Sequence, residues 1–213
     1  NVGLFTVGDN LNAAKIAGDL TETNARVISS VEETSKYKFI PEKDLFDVEY
    51  WSLEQAKIKK TKKILQGNIV VITGSAGAIG SETYRLFKSY GAEVVLLDYN
   101  LQKIKEMQSK TTDLCIHCDV TNKNSVKKAF KVICENFGGI DILISNAGTA
   151  IGGSIGEVND KILRQSFEEN FFSHQNCASE AIKIMKEQNI NGCLLFNISK
   201  QSVNPGKNFG PYG

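Results

Sequence analysis

Along most of the chain, short runs of apolar β-branched residues alternate with stretches of helical periodicity. Val70-Val71-Ile72, Val94 to Leu97, Leu114-Cys115-Ile116, Ile142-Leu143-Ile144 and Leu194-Leu195-Phe196 are continuous apolar runs. Runs of that kind are expected of strands covered on both faces. Between them lie a helix over Gly77 to Tyr90 that stops at Gly91, and a polar helix running to about Lys110. A third, marked by Val126, Ala129, Phe130, Ile133 and Phe137, and a long helix over 159–188 complete the set. Buried strands alternating with helices predict an α/β protein: a doubly wound parallel sheet of the Rossmann-like kind, here with five strands.

The first third of the chain is different. Residues 10–32 read as a helix, capped by Asp9 or Asn10, with Ala14, Ala17, Leu20, Val27, Ile28 and Val31 roughly at helical spacing. Glu33 to Gly67 reads as irregular, with Pro41 and the aromatics Phe46, Tyr50 and Trp51. Its end, Lys57 to Lys63, holds five lysines in seven positions, and reads as a solvated linker.

Charge supports that bland reading. The 213 residues carry 25 Lys and Arg against 24 Asp and Glu, a net charge of +1. There is no general electrostatic case for nucleic acid or an anionic membrane surface. No apolar run approaches the ~20 residues of a membrane span, and the first ten residues lack the pattern of a signal peptide. Five Cys, at 115, 118, 134, 177 and 193, are an odd and scattered set. They predict reduced thiols and a cytoplasmic setting. Cys115-Ile116-His117-Cys118 lies on an expected strand, where residues three apart face opposite sides, and no second Cys pair accompanies it. Core thiols, and no metal site, are expected.

Candidate chemistry begins directly after the first strand, at Thr73-Gly74-Ser75-Ala76-Gly77-Ala78-Ile79-Gly80. A glycine turn opening a helix lets a pyrophosphate approach the backbone, and the helix N-terminus supplies N–H donors and partial positive charge. Asp98 ends the second strand 18 residues after Gly80, close to the ~20 expected of a carboxylate that accepts ribose hydroxyls. A carboxylate there opposes a 2′-phosphate, and no Arg or Lys stands in the glycine loop or directly after Asp98. NAD is therefore expected over NADP.

At these residues the chain resembles the short-chain dehydrogenase/reductase family, over roughly 66–213. Residues 73–80 resemble its cofactor loop, with Ala78 where the simple dehydrogenase branch has a glycine. Gly74, Gly77 and Gly80 also fit the spacing of the epimerase and dehydratase branch. Later motifs favour the dehydrogenases. Asp119-Val120 resembles the family's adenine-contacting pair, and Ser145-Asn146-Ala147-Gly148 its Asn-Asn-Ala-Gly motif with Ser in first place. Asn170 matches the helix Asn that holds a kink and a water, and Ser199 precedes Tyr212 by the family's thirteen residues.

The resemblance implies hydride transfer between nicotinamide and a small alcohol or carbonyl compound. It implies Tyr212 as general acid/base, Ser199 as hydrogen-bond donor to the substrate oxygen and Asn170 as anchor of a water. Ser202 is a looser rival to Ser199, and His174 reads as a packing residue. The family's lysine four positions after the Tyr would be residue 216, past the 213 residues, so a piece of a larger protein is expected. A nucleotide-sugar epimerase or dehydratase, or a non-catalytic dinucleotide-binding domain, is the alternative. Family members commonly pair through helices such as 159–188, which implies a homo-oligomer.

The front resembles another part of a known architecture. Phe46 to Lys57, Gly3-Leu4-Phe5 and the helix at 10–32 are similar to the end and linker of a class II aldolase domain fused to such a dehydrogenase. The family is the rhamnulose-phosphate aldolase/lactaldehyde dehydrogenase type. It implies an aldolase-like end at 1–34, a linker at 35–66, an NAD-binding domain at 67–213, and a hydroxy-aldehyde such as lactaldehyde as substrate. Neither of the two His, His117 and His174, lies in the front segment, so no aldolase metal chemistry is expected of it.

Overall fold

The structure is a computed structural model that describes residues 3–50 and 62–213. By its contacts the chain divides into two compact units, 1–66 and 67–213.

The front unit is helical where it is described. Helix α1 (Leu11–Glu32) starts at Asn10, whose side chain accepts the Ala13 N–H at 2.9 Å. It buries none of its residues. Helix α2 (Glu42–Glu49) corrects the expectation of an irregular segment. Pro41 pre-sets the entry to its first turn, Glu42 and Asp44 complement the positive end of the helix, and Phe46 stacks on Tyr50 one turn on. Such a two-turn helix leaves too little periodicity to read from sequence. Most of the lysine-rich run, 57–61, lies outside the described residues.

The second unit is a five-stranded sheet in the order β3-β2-β1-β4-β5, every neighbouring pair parallel. Its strands are β1 (Ile69–Thr73), β2 (Glu93–Asp98), β3 (Cys115–His117), β4 (Ile142–Ser145) and β5 (Cys193–Phe196). Helices α3 (Ala78–Ser89), α4 (Leu101–Gln108) and α5 (Lys123–Phe137) make the connections between the first four strands. The long helix expected at 159–188 is two helices, α6 (Asp160–Phe167) and α7 (Ser173–Gln188), joined by a π-helical turn over Glu168–Phe172. Asn170 sits within that turn.

The core lies where sheet meets helix. Val71, Val95, Leu97 and Leu143 pack with Val126, Ala129, Phe130 and Ile133 of α5 and with Cys177, Ala181 and Met185 of α7. Cys115 on β3 and Cys118 directly after it are buried core thiols, although the strand expected to hold both ends at His117. Burial pushes Cys118 up to about 11 and Cys177 up to about 12, so both stay protonated. Among the described residues no helix is long and apolar enough to cross a membrane.

The strand order fixes where a ligand can sit. From β1 the chain builds outward through β2 to β3, then returns to place β4 on the other side of β1. The crevice at the carboxyl ends of β1 and β4 is a topological switch point, the ligand-binding position of open parallel sheets.

Candidate active site

The turn after β1 follows from two glycines. Gly74 has φ +62°, and a Cβ there would stand 2.9 Å from the Ala147 Cα in the loop after β4. A Cβ on Gly80 would come within 2.2 Å of the Gly74 carbonyl oxygen, so only glycine lets α3 approach the turn this closely. Gly77 precedes α3 in an extended conformation with no side-chain cap. The amides of Ala78, Ile79 and Gly80 therefore have no acceptor within the helix.

Asp98 ends β2 beside this turn and is buried. One carboxylate oxygen accepts the Ala76 N–H at 3.0 Å, and the other accepts the Asn100 N–H at 2.9 Å. Opposite them, the Asp119 carboxylate accepts both the N–H and the hydroxyl of Thr121, at 3.0 and 2.7 Å. These groups enclose a cavity of about 740 Å³. Gly74, Gly77, Ala78, Ile79, Gly80, Asp98, Asp119, Val120, Asn146, Ala147 and Gly148 all line it. Thr73 and Ser75 do not: both are buried behind it.

Their side chains brace the walls instead. The Thr73 hydroxyl oxygen accepts the N–H groups of Asn146 and Ala147, at 2.9 and 3.0 Å. The Ser75 hydroxyl donates to the Leu97 carbonyl at 3.2 Å. The Asn146 amide donates to the carbonyls of Thr73 and Gly74, at 3.0 and 3.3 Å, and accepts from Asn197 at 2.8 Å. One side chain thus ties together the ends of β1, β4 and β5.

A second cavity, of about 520 Å³, shares Ile79, Asn146, Ala147 and Gly148 with the first. Asn170, Ser199 and Tyr212 all line it, as does Ser202. Asn170 is held firmly in the π-helical turn. Its amide oxygen accepts the Thr149 N–H at 2.8 Å, and its amide nitrogen donates to the carbonyls of Thr149 and Ser166, at 2.9 and 3.1 Å. Ser199 accepts the Gln201 N–H at 3.2 Å, and Ser202 donates to the Ser199 carbonyl at 2.8 Å. Tyr212 is positioned from two sides. Ser166 donates to the Pro211 carbonyl at 2.9 Å, and Gly153 exchanges backbone hydrogen bonds with Asn208 and Gly210.

Three residues of this region carry no signal that sequence reading used. Lys103, in the first turn of α4, lines the first cavity five positions past Asp98. Asn176 donates from α7 to the carbonyls of Val120 and Thr121, at 3.1 and 3.3 Å, and so holds the wall beside Asp119. Asn197 follows β5 and completes the Asn146 bridge. Asn176 stands six positions after Asn170, off its helical face, and nothing local marks it, Lys103 or Asn197. His174 lines the second cavity, with Nδ1 2.6 Å from the Ser145 hydroxyl, and burial pushes its imidazole below the usual range.

Known proteins resemble both units. Residues 1–58 match the family model of the class II aldolase second domain, and residues 68–213 match that of the short chain dehydrogenases. The "Uncharacterized oxidoreductase YuxG" of Bacillus subtilis strain 168 is 29% identical, across 99% of this chain and 32% of its own length. "Short chain aldehyde dehydrogenase 1" of Euphorbia lathyris is 34% identical, across 67% of this chain and 51% of its own length. The chain thus spans about a third to a half of the length of these relatives. Among solved structures, an NAD+-bound xylitol dehydrogenase shares the fold, with a TM-score of 0.66 at 23% identity over 71% of this chain and 60% of that one. With the sheet, the glycine turn and a family match covering all of the second unit from residue 68, this chain belongs to the short-chain dehydrogenase family.

Proposed function

We propose that residues 67–213 form the NAD-binding part of an oxidoreductase acting on a small alcohol or carbonyl compound. A hydroxy-aldehyde such as lactaldehyde is the leading substrate. The observation that carries this reading is the shared wall. A cavity with a glycine turn, uncapped helix amides and a ribose-competent carboxylate continues past Asn146, Ala147 and Gly148 into one lined by Asn170, Ser199 and Tyr212.

The residues present fit a dinucleotide. The amides of Ala78, Ile79 and Gly80 would hold the pyrophosphate. Asp98, whose oxygens still have lone pairs beyond their two backbone bonds, would accept the ribose hydroxyls. Asp119 and Val120 would flank the adenine, while Thr73 and Ser75 keep the turn in place from behind. When bound, the nicotinamide supplies or takes up the hydride. Tyr212 would exchange the proton of the substrate oxygen as general acid/base. The Ser199 hydroxyl would hydrogen-bond that oxygen, and Asn170 would anchor a water for proton relay. Asp98 favours NAD, and Lys103 is the one Lys or Arg among the described residues on the cavity wall that could favour NADP.

We read the front unit as the end of an aldolase-like domain (1–34) with its linker (35–66), so the whole protein joins the two activities. We read its setting as cytoplasmic, and exposed Phe172 and Ile182 on the π-turn and α7 support a homo-oligomer.

The test is a pair of measurements on the full chain. NAD titration followed by fluorescence should show saturable binding, tighter than for NADP. Tyr212→Phe should leave that binding intact and lower lactaldehyde-dependent turnover by about 10²-fold or more. Turnover unchanged by Tyr212→Phe overturns the mechanism, and tightly held NAD with no net reduction would favour epimerase chemistry.

A further inference from the structure

Among the polar groups of the second cavity that the proposed chemistry does not use is His174. His174 lies one helical turn beyond Asn170, on the same side of the helix, and lines the cavity with Ser199 and Tyr212. Its ring is fixed from two directions. Nδ1 is 2.6 Å from the hydroxyl oxygen of the buried Ser145, at the end of β4. The ring also meets Phe196, at the end of β5, edge to face, with centroids 6.0 Å apart and an interplanar angle of 71°.

The hydrogen-bonding capacity of the other lining side chains is largely committed. Asn170 and Asn146 give both amide hydrogens to backbone carbonyls. Ser166 and Ser202 donate to the carbonyls of Pro211 and Ser199. Ser199 and Tyr212 serve the reacting oxygen in the reading above. Besides one amide hydrogen of Asn197, this leaves His174. No Asp, Glu, Lys or Arg lines the cavity among the described residues, so a neutral compound suits it.

The Ser145 hydroxyl sets the tautomer. That hydroxyl has no other side-chain hydrogen bond among the described residues, and a buried hydroxyl hydrogen needs an acceptor. Donation from Ser145 to Nδ1 satisfies both groups and leaves the ring proton on Nε2.

We propose that His174 is the specificity residue of the second cavity, its Nε2–H donating a hydrogen bond to a second oxygen of the substrate, next to the carbon that exchanges hydride. The substrate class is then a neutral vicinal hydroxy-carbonyl compound and its diol, not a simple alcohol. This rests on the oxidoreductase reading above. A site built around such a donor rejects an analogue that lacks the acceptor, because the donor is left unpaired.

Two readouts test it. In the full chain labelled with 15N, the only other histidine is His117, and His117→Gln isolates the His174 signals. Two-bond proton–nitrogen spectra at neutral pH should show Nδ1 unprotonated and Nε2 protonated, and Ser145→Ala should move the Nδ1 resonance. A ring protonated on Nδ1 overturns the proposal.

Kinetics with NADH then compare the reduction of lactaldehyde with that of propanal. His174→Val should lower kcat/KM for lactaldehyde by about tenfold or more, leave propanal within about twofold, and be partly rescued by His174→Gln. Equal losses on both compounds would make His174 structural and overturn the proposal. If the unaltered chain turns over neither compound, the oxidoreductase reading fails by itself. The His174 resonances, titrated with 1,2-propanediol and with 1-propanol, then decide: a response to the diol alone supports the donor role, and identical responses overturn it.

Discussion

Strands β2 and β5 are alike in composition and opposite in environment. Glu93–Asp98 reads EVVLLD and buries every residue after the first, whereas Cys193–Phe196 reads CLLF and buries none. Leu97 is fully buried, while Leu195 and Phe196 remain 46% and 44% exposed. The difference is position: β2 lies between β1 and β3, and among the described residues β5 ends the order with β4 as its only neighbour. The two halves of the candidate site inherit this contrast. The glycine-turn cavity stands on inner strands whose ends are locked by Thr73, Ser75 and Asp98. The second cavity is lined by the π-helical turn, by Asn197, Ile198, Ser199 and Ser202 just after the edge strand, and by Pro211 to Gly213.

The largest expected effect breaks or upholds that contrast directly. Leu97→Ala should cost ~3 kcal/mol of unfolding free energy, the usual range for a large side chain removed from a packed core. Leu195→Ala should cost less than ~1 kcal/mol, since much of its side chain is already in water. Urea unfolding of the two variants measures the difference. Equal costs would show that β5 is packed as tightly as β2, and the picture of a loosely supported second cavity would fall.

Asn146 sharpens the comparison because it lines both cavities and its amide bonds groups at the ends of β1 and β5. Asn146→Ala strips the hydrogen bonds from the Thr73 and Gly74 carbonyls and from the Asn197 amide. Removing partners from part-buried groups should destabilise by ~1–3 kcal/mol. NAD affinity should fall with it, because Gly74 is part of the turn. A variant that loses stability but keeps NAD affinity would confine the role of Asn146 to the β4–β5 side.

Most of the inner half was legible in the sequence. Continuous apolar runs located all five strands to within a residue or two: burial on both faces leaves no polar position within the inner strands, and β5 is apolar although it is exposed. The glycine spacing and Asp98 were equally readable, since backbone conformation and close approach restrict which residues can stand there. The outer half was less so. Glu168–Phe172 carries the same apolar periodicity as the helices around it, and only the ties from Asn170 to Thr149 and Ser166 reveal the π-helical turn. Asn197 acts through Asn146, 51 residues away in the chain, which periodicity cannot register. His174 read as packing because its partner, Ser145, is 29 residues distant and meets it only once β4 and α7 are placed together.

The pH dependence of stability separates the halves more finely. Cys118 and Cys177 belong to the core cluster under the inner strands, and burial raises them to about 11 and about 12. In the unfolded chain these thiols ionise near 9.0. Their contribution is therefore complete below that value and is lost as pH rises through it, because the unfolded state then releases protons that the folded state keeps. His174, at the second cavity, is shifted the other way: burial lowers it from 6.5. Its contribution is present above 6.5 and is lost as pH falls below it, when the unfolded imidazole takes up a proton first. Two deeply buried thiols against one half-buried ring should make the alkaline loss of stability steeper than the acid one. Urea midpoints measured from acid to alkaline pH check this. Cys177→Ala should flatten the alkaline limb alone. His174→Val, the smallest change expected here, should flatten the acid limb between neutrality and the folded-state value, and an unchanged slope there would mean that His174 meets as much water folded as unfolded.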